Sequence, residues 1–243
     1  MKKEMEQKMK KENLAQEVKM ETKKGKRPIQ QIIRGQQNKT ETRIEMECER
    51  MQNPDAVKTY KASNPDVLDV GKLIIECKYM QTPEMLEYYK SLKPTNENIR
   101  YLFVNCKYAQ TEEMMDYYRA LEPSIWELIE LIASCKYTQT LEMLEYFKSK
   151  NPSADDISWL IKKCKYAQTS EMLEYFKSLN PSVWEVRELI TNCKYAQTPE
   201  MLSYYKSLNP SYRNVGTLIA DCEYCNTKEM KKYYKRLLQN IKE

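Results

Sequence analysis

Seven cysteines, Cys48, Cys77, Cys106, Cys135, Cys164, Cys193 and Cys222, stand at a constant interval of 29 residues. Each opens a version of one phrase, written most fully as Cys193-Lys194-Tyr195-Ala196-Gln197-Thr198-Pro199-Glu200-Met201-Leu202. A fixed period in this range marks a chain of stacked units, each burying its apolar face only against its neighbours. Gly is scarce, at 4 residues in 243, while Lys, Glu, Leu, Met and Tyr are plentiful. That bias is helical.

One unit, Ser182 to Pro210, shows how the period folds. Ser182-Val183-Trp184-Glu185 has the capping-box pattern, a hydroxyl followed three residues later by Glu, and Ser124-Ile125-Trp126-Glu127 repeats it. A first helix, helix A, then carries Val186, Leu189, Ile190 and Cys193 at i, i+3, i+4 and i+7, one apolar stripe. The stripe recurs as Leu128, Leu131, Ile132, Cys135 and as Ile157, Leu160, Ile161, Cys164. Helix A is expected to end around Tyr195-Ala196-Gln197. Thr198 then caps helix B, with Pro199 at its first position, where a missing N–H costs nothing. The apolar face of helix B is Met201, Leu202, Tyr205 and Leu208, and Asn209-Pro210 stops it, because proline disfavours the α conformation in the residue before it.

The expected fold is therefore all-α: an α-solenoid of about seven stacked 29-residue helical hairpins over residues 37–243, following a basic tail at 1–36. With helices about 8–10 Å apart, such a stack forms a rod or shallow arc. The first hairpin has Glu41, Ile44, Glu45 and Cys48 at its stripe positions, two of them charged, so it is degenerate and reads as an N-terminal cap or as disorder. The last helix, from Lys228, gains Lys231, Lys232, Lys235, Arg236 and Lys242 and reads as a polar C-terminal cap. In general form the unit resembles the tetratricopeptide and pentatricopeptide class of helical-hairpin repeats. The period is shorter and the signature residues of those families are missing, so the likeness implies nothing about function.

Charge narrows the classes of partner. Residues 1–47 carry 13 Lys+Arg against 8 Asp+Glu, while residues 48–243 carry 27 of each. The basic excess sits in the tail, with its cluster Lys23, Lys24, Lys26 and Arg27. A folded region that binds nucleic acid by electrostatics is normally basic itself. No run approaches about 18 apolar residues, and Met1-Lys2-Lys3-Glu4-Met5-Glu6 lacks the apolar core of a secretory signal. The expected setting is intracellular, cytoplasmic or, in a eukaryote, nuclear. The cysteines belong to the repeat, and with no His in the chain and a single CxxC at Cys222 and Cys225 they read as buried reduced thiols, with neither metal nor cofactor expected.

The repeats differ mainly in helix A. Counting Ser182 as one, the third position is Leu68, Glu97, Trp126, Asp155, Trp184, Arg213; the seventh is Lys72, Tyr101, Glu130, Trp159, Glu188, Thr217; the tenth is Ile75, Val104, Ala133, Lys162, Thr191, Ala220. At about 100° per residue these positions lie opposite the apolar stripe. All three tryptophans are there, and tryptophan is enriched at binding hot spots. The candidate partner-binding residues are Trp126, Trp159, Trp184, Tyr101, Glu130, Lys162, Arg187 and Glu188. The competing expectation is that the tryptophans fill gaps between repeats.

Two cation rows complete the pattern. Lys90, Arg119, Lys148 and Lys177 follow Glu87, Asp116, Glu145 and Glu174 by three residues, so local pairs are expected. Lys78, Lys107, Lys136, Lys165 and Lys194 follow the cysteines and have no local answer. With the tail cluster, that row supports an alternative reading, an RNA- or single-stranded-DNA-binding repeat protein. No His, phosphate loop or nucleophile beside a base supports catalysis. The first reading is a non-enzymatic scaffold for a protein or peptide partner along the helix A face.

Overall fold

The computed structural model describes residues 46–240, and all regular structure there is helical. The tail at 1–36, with Lys23, Lys24, Lys26 and Arg27, lies outside the described residues, as do Glu41, Ile44, Glu45 and Lys242. The chain divides into two compact units, Met1–Met85 and Leu86–Glu243.

In the first unit, helices α1 (Pro54–Ala62) and α2 (Val67–Glu76) precede a short 3-10 turn (Lys78–Met80) and the start of α3 (Pro83–Ser91). The Asn53 and Asp66 side chains cap α1 and α2 by accepting from the Asp55 and Leu68 amides. Val70, Leu73, Ile74 and Met80 form the buried side. The Cys77 thiol donates to the Cys48 carbonyl at 3.7 Å, and Lys61 pairs with Glu84 at 2.6 Å.

The second unit repeats that arrangement. Its helices are α4 (Asn96–Asn105), α5 (Glu112–Ala120), α6 (Ile125–Ser134), α7 (Leu141–Ser149), α8 (Ala154–Lys163), α9 (Ser170–Ser178), α10 (Val183–Asn192), α11 (Pro199–Ser207), α12 (Tyr212–Asp221) and α13 (Lys228–Gln239). Even-numbered helices are the expected A helices and odd-numbered ones the B helices. Helix α4 packs on α6, α6 on α8, α8 on α10 and α10 on α12, while α6, α8, α10 and α12 each pack on the B helix that follows them.

Local chemistry accounts for most of the boundaries. The boxes at Ser124–Glu127 and Ser182–Glu185 form, and Thr95–Asn98 and Ser153–Asp156 build the same device with shorter side chains. Burial pushes the Glu127 carboxyl up, but the Ser124 amide and hydroxyl and the Asn96 amide outweigh it and hold the group below its usual value. Thr198 caps α11 by accepting from the Met201 amide at 3.2 Å, with Pro199 at the first helical position. Val186, Leu189, Ile190, Met201, Leu202 and Tyr205 are buried. Leu208, expected on the same face, is only half-buried because it is already the C-cap of α11.

Two boundaries differ from the sequence expectation. Helix A stops earlier than Tyr195: α10 ends at Asn192, and Cys193 leaves the helix with φ −130° and ψ 109° before a 3-10 turn at Lys194–Ala196. The repeated cysteine is thus a C-cap and not a helical residue. Its amide still reaches Leu189 at 3.0 Å, and Gln197 Nε2 turns back seven residues to donate to the Ile190 carbonyl at 3.1 Å. Gln81, Gln110, Gln139 and Gln168 make the same bond. The carbonyls freed at the helix end are satisfied without another α-helical turn. The second difference is the stop of helix B. Asn64, Lys93, Glu122, Asn151, Asn180 and Asn209 all have φ between 50° and 56°. Each is a left-handed residue closing the helix, and proline follows it.

Candidate binding face

The core stripe decides what the rest of helix A can do. Leu128, Leu131 and Ile132 are fully buried on α6, as are Ile157, Leu160 and Ile161 on α8. The third, seventh and tenth positions therefore project away from the core. Trp126 is 50% exposed, Trp184 54% and Trp159 36%; Leu68, Tyr101 and Val104 are exposed as well.

Adjacent A helices bring the third position of one repeat to the seventh of the next. Trp126 on α6 and Trp159 on α8 meet edge to face, with ring centroids 5.6 Å apart at 80°. That is the geometry aromatic quadrupoles favour. Lys162 and Lys163 also approach Trp159, with their Nζ atoms 4.8 Å and 5.6 Å from its ring centroid. Both contacts are within cation–π range. Trp184, on α10, has no ring partner among the described residues.

Two carboxylates of the face, Glu97 and Glu188, are answered locally. Arg100 forks onto Glu97, through Nε at 2.9 Å, and its field also reaches Glu130. The hydrogen bond from Arg100 holds the Glu97 carboxyl below its usual value. Arg187 pairs with Glu188 at 3.4 Å. Of the candidate residues, Trp126, Trp159 and Lys162 form one cluster and Arg187 with Glu188 another, while Tyr101 stands apart on α4. Arg100 was missed by sequence reasoning, although it occupies the position that Arg187 fills in its own repeat.

The cation row on the B helices is a ladder. Lys90 pairs with Glu87 and Glu113, Arg119 with Asp116 and Glu142, and Lys148 with Glu145 and Glu171, the last at 2.6 Å. The expected partner three residues back is present, and a second lies 23 residues ahead. Tyr117, Tyr146 and Tyr204 donate their hydroxyls to the backbone carbonyls of Lys90, Arg119 and Lys177. These cations are occupied in holding repeats together. By contrast Lys78, Lys107, Lys136, Lys165 and Lys194 are exposed, each opening a 3-10 turn, and none forms an ion pair among the described residues.

Two clefts of about 270 and 320 Å³ lie between neighbouring B helices, the first beside Lys177, Tyr195 and Glu200, the second beside Lys206, Tyr224 and Glu229. They recur at the repeat spacing, so they follow from how the hairpins pack. Among the described residues, Cys77, Cys106, Cys135, Cys164, Cys193, Cys222 and Cys225 are buried, and no cluster of three or more His, Cys, Asp or Glu side chains could hold a metal ion. No helix there is long and apolar enough to cross a membrane. Comparisons with protein-family models, with curated proteins and with solved structures found no match for this chain.

Proposed function

We propose that the hairpins stack as an α-solenoid and that the protein is a non-enzymatic scaffold binding a protein or peptide segment along the exposed face of its A helices. The observation that carries the reading is the Trp126–Trp159 pair, two large aromatic side chains held against each other while half of the first and about a third of the second stay in water. Packing between repeats would bury such rings; a partner would cover them. Buried free thiols at Cys77, Cys135, Cys164, Cys193, Cys222 and Cys225 favour a reducing, intracellular setting.

The test compares the full chain with Trp126→Ala/Trp159→Ala and with Trp184→Ala, in urea unfolding and in selection from a displayed random-peptide library. Fully buried aromatics cost about 3–5 kcal/mol when truncated; these half-exposed ones cost less, and the double variant loses the peptides that the parent selects. Loss of stability on the buried scale, or an unchanged peptide pool, sinks the reading.

The exposed Lys78, Lys107, Lys136, Lys165 and Lys194 row favours a second reading, nucleic-acid binding. Its check is anisotropy of a labelled single-stranded RNA with the full chain and with these five lysines changed to Gln. Tight binding at physiological salt that the substitutions remove would put this reading first.

A further inference from the structure

The charges around the tryptophan pair are unevenly answered, and that unevenness identifies the kind of segment that fits. Across α4, α6, α8, α10 and α12, carboxylates outnumber cations eight to five. The A face as a whole is therefore a poor track for a phosphate backbone. Within it, Glu97 is held by Arg100, and Glu188 by Arg187. Lys162 and Lys163 differ. Neither has a carboxylate partner among the described residues, and both lie over the Trp159 ring. Asp155, the exposed acid of the same helix, is seven residues away from Lys162, about 10 Å along the axis at 1.5 Å per residue.

From this juxtaposition we infer that the Trp126–Trp159 pair receives an apolar anchor residue of a linear peptide, and that Lys162 and Lys163 receive carboxylates beside that anchor. The occupant is an acidic peptide with an aromatic or long aliphatic side chain. This rests on the A-helix face being the binding face and adds the chemistry of its ligand. The rings supply a rigid apolar contact of low conformational cost. The two ammonium groups already sit over the Trp159 ring, so an arriving carboxylate beside the pair meets two cations that no ion pair among the described residues occupies. The Glu97–Arg100 and Arg187–Glu188 pairs elsewhere on the face are already answered and add little attraction.

The experiment is phage selection of a random dodecapeptide library on the full-length chain, counter-selected against Trp126→Ala/Trp159→Ala. Fluorescence anisotropy then follows with a selected peptide, its Asp/Glu-to-Lys version, and a labelled single-stranded RNA dodecamer. The inference predicts a pool rich in Asp and Glu flanking Trp, Phe or Leu. It also predicts that the acidic peptide binds at least tenfold tighter than its basic version, and that Lys162→Glu/Lys163→Glu abolishes this preference while circular dichroism is unchanged. A tryptophan-dependent pool that is neutral or basic overturns the acidic assignment and leaves the face reading standing. RNA that binds in a Trp126-dependent way and displaces the selected peptide also overturns it, in favour of stacked bases. A pool that does not distinguish parent from tryptophan variant overturns both.

Discussion

The thiol of Cys135 points at the carbonyl of Phe103, 3.6 Å away and 32 residues back in the chain. The same carbonyl accepts Gln110 Nε2 at 2.7 Å, and that amide lies 3.7 Å from the Cys135 sulfur. Cys164 repeats the contact on Ile132 at 3.7 Å. The repeated cysteine thus joins the end of one A helix to the end of the next, where a small, weakly polar group fits between two turns. Its recurrence is a packing requirement.

Cys135→Ala should keep the helical content and lower stability by about 1–2 kcal/mol, for the lost sulfur contacts and small void. Urea unfolding measures it. In the native chain, Cys48 is the one partly exposed cysteine, so an aromatic disulfide reagent should label one thiol quickly and the remainder only on unfolding. Fast labelling of several thiols would contradict the buried placement.

The left-handed stops offer a gain in stability. Glu122 and Lys93 hold φ 51° and 56° where four other repeats use Asn. A side chain of ordinary type is strained there, and Asn or Gly is not. Glu122→Asn and Lys93→Asn should each stabilise by about 0.5–1 kcal/mol, read as a raised urea midpoint with an unchanged slope.

Tyr118 and Tyr205 are fully buried, and their hydroxyls meet no protein hydrogen-bond partner. Burial pushes both phenols above their usual value. Phe147 and Phe176 occupy the same place in the repeats between them. Tyr118→Phe and Tyr205→Phe should therefore be neutral or stabilising, by up to about 1 kcal/mol, since a buried unpaired hydroxyl is removed. A clear loss in thermal melting would show that the hydroxyls are satisfied in solution.

The B-helix ladder should make stability depend on acid and salt. Hydrogen bonds from Lys61, Lys90 and Lys206 hold the Glu84, Glu113 and Glu229 carboxyls below their usual value of 4.5. A carboxyl whose folded value is depressed stabilises the fold fully above its unfolded value and loses that contribution as pH falls through the folded one. Melting temperature should hold between pH 7 and 5, then fall below about 4.5. Raised salt should narrow the difference, because these carboxylates are exposed and screened. A flat profile between pH 5 and 3 would remove the ladder from the account.

The period, the two helices per repeat, the Ser124 and Ser182 boxes, the Thr198 cap and the Glu145–Lys148 type of pair were all legible in the chain, because each depends on contacts within about seven residues. Helix A was read too long because Cys193 continues the apolar stripe in spacing; only the backbone shows that it does so from an extended conformation. Arg100 went unnoticed although Glu97 stands only three residues before it; what the chain could not show is its reach to Glu130 on the next A helix.

What the sequence determined by itself is therefore the unit: which residues turn, which face is apolar, and that the third, seventh and tenth positions of helix A point away from the core. Only the tertiary structure decided how units meet. The 29-residue period says that neighbours are alike, but not how far one is shifted and rotated against the next. That offset places Lys148 on Glu171, Cys135 on Phe103 and Trp126 on Trp159. It arises from interdigitating side chains of two helices at once, a property that no single repeat carries.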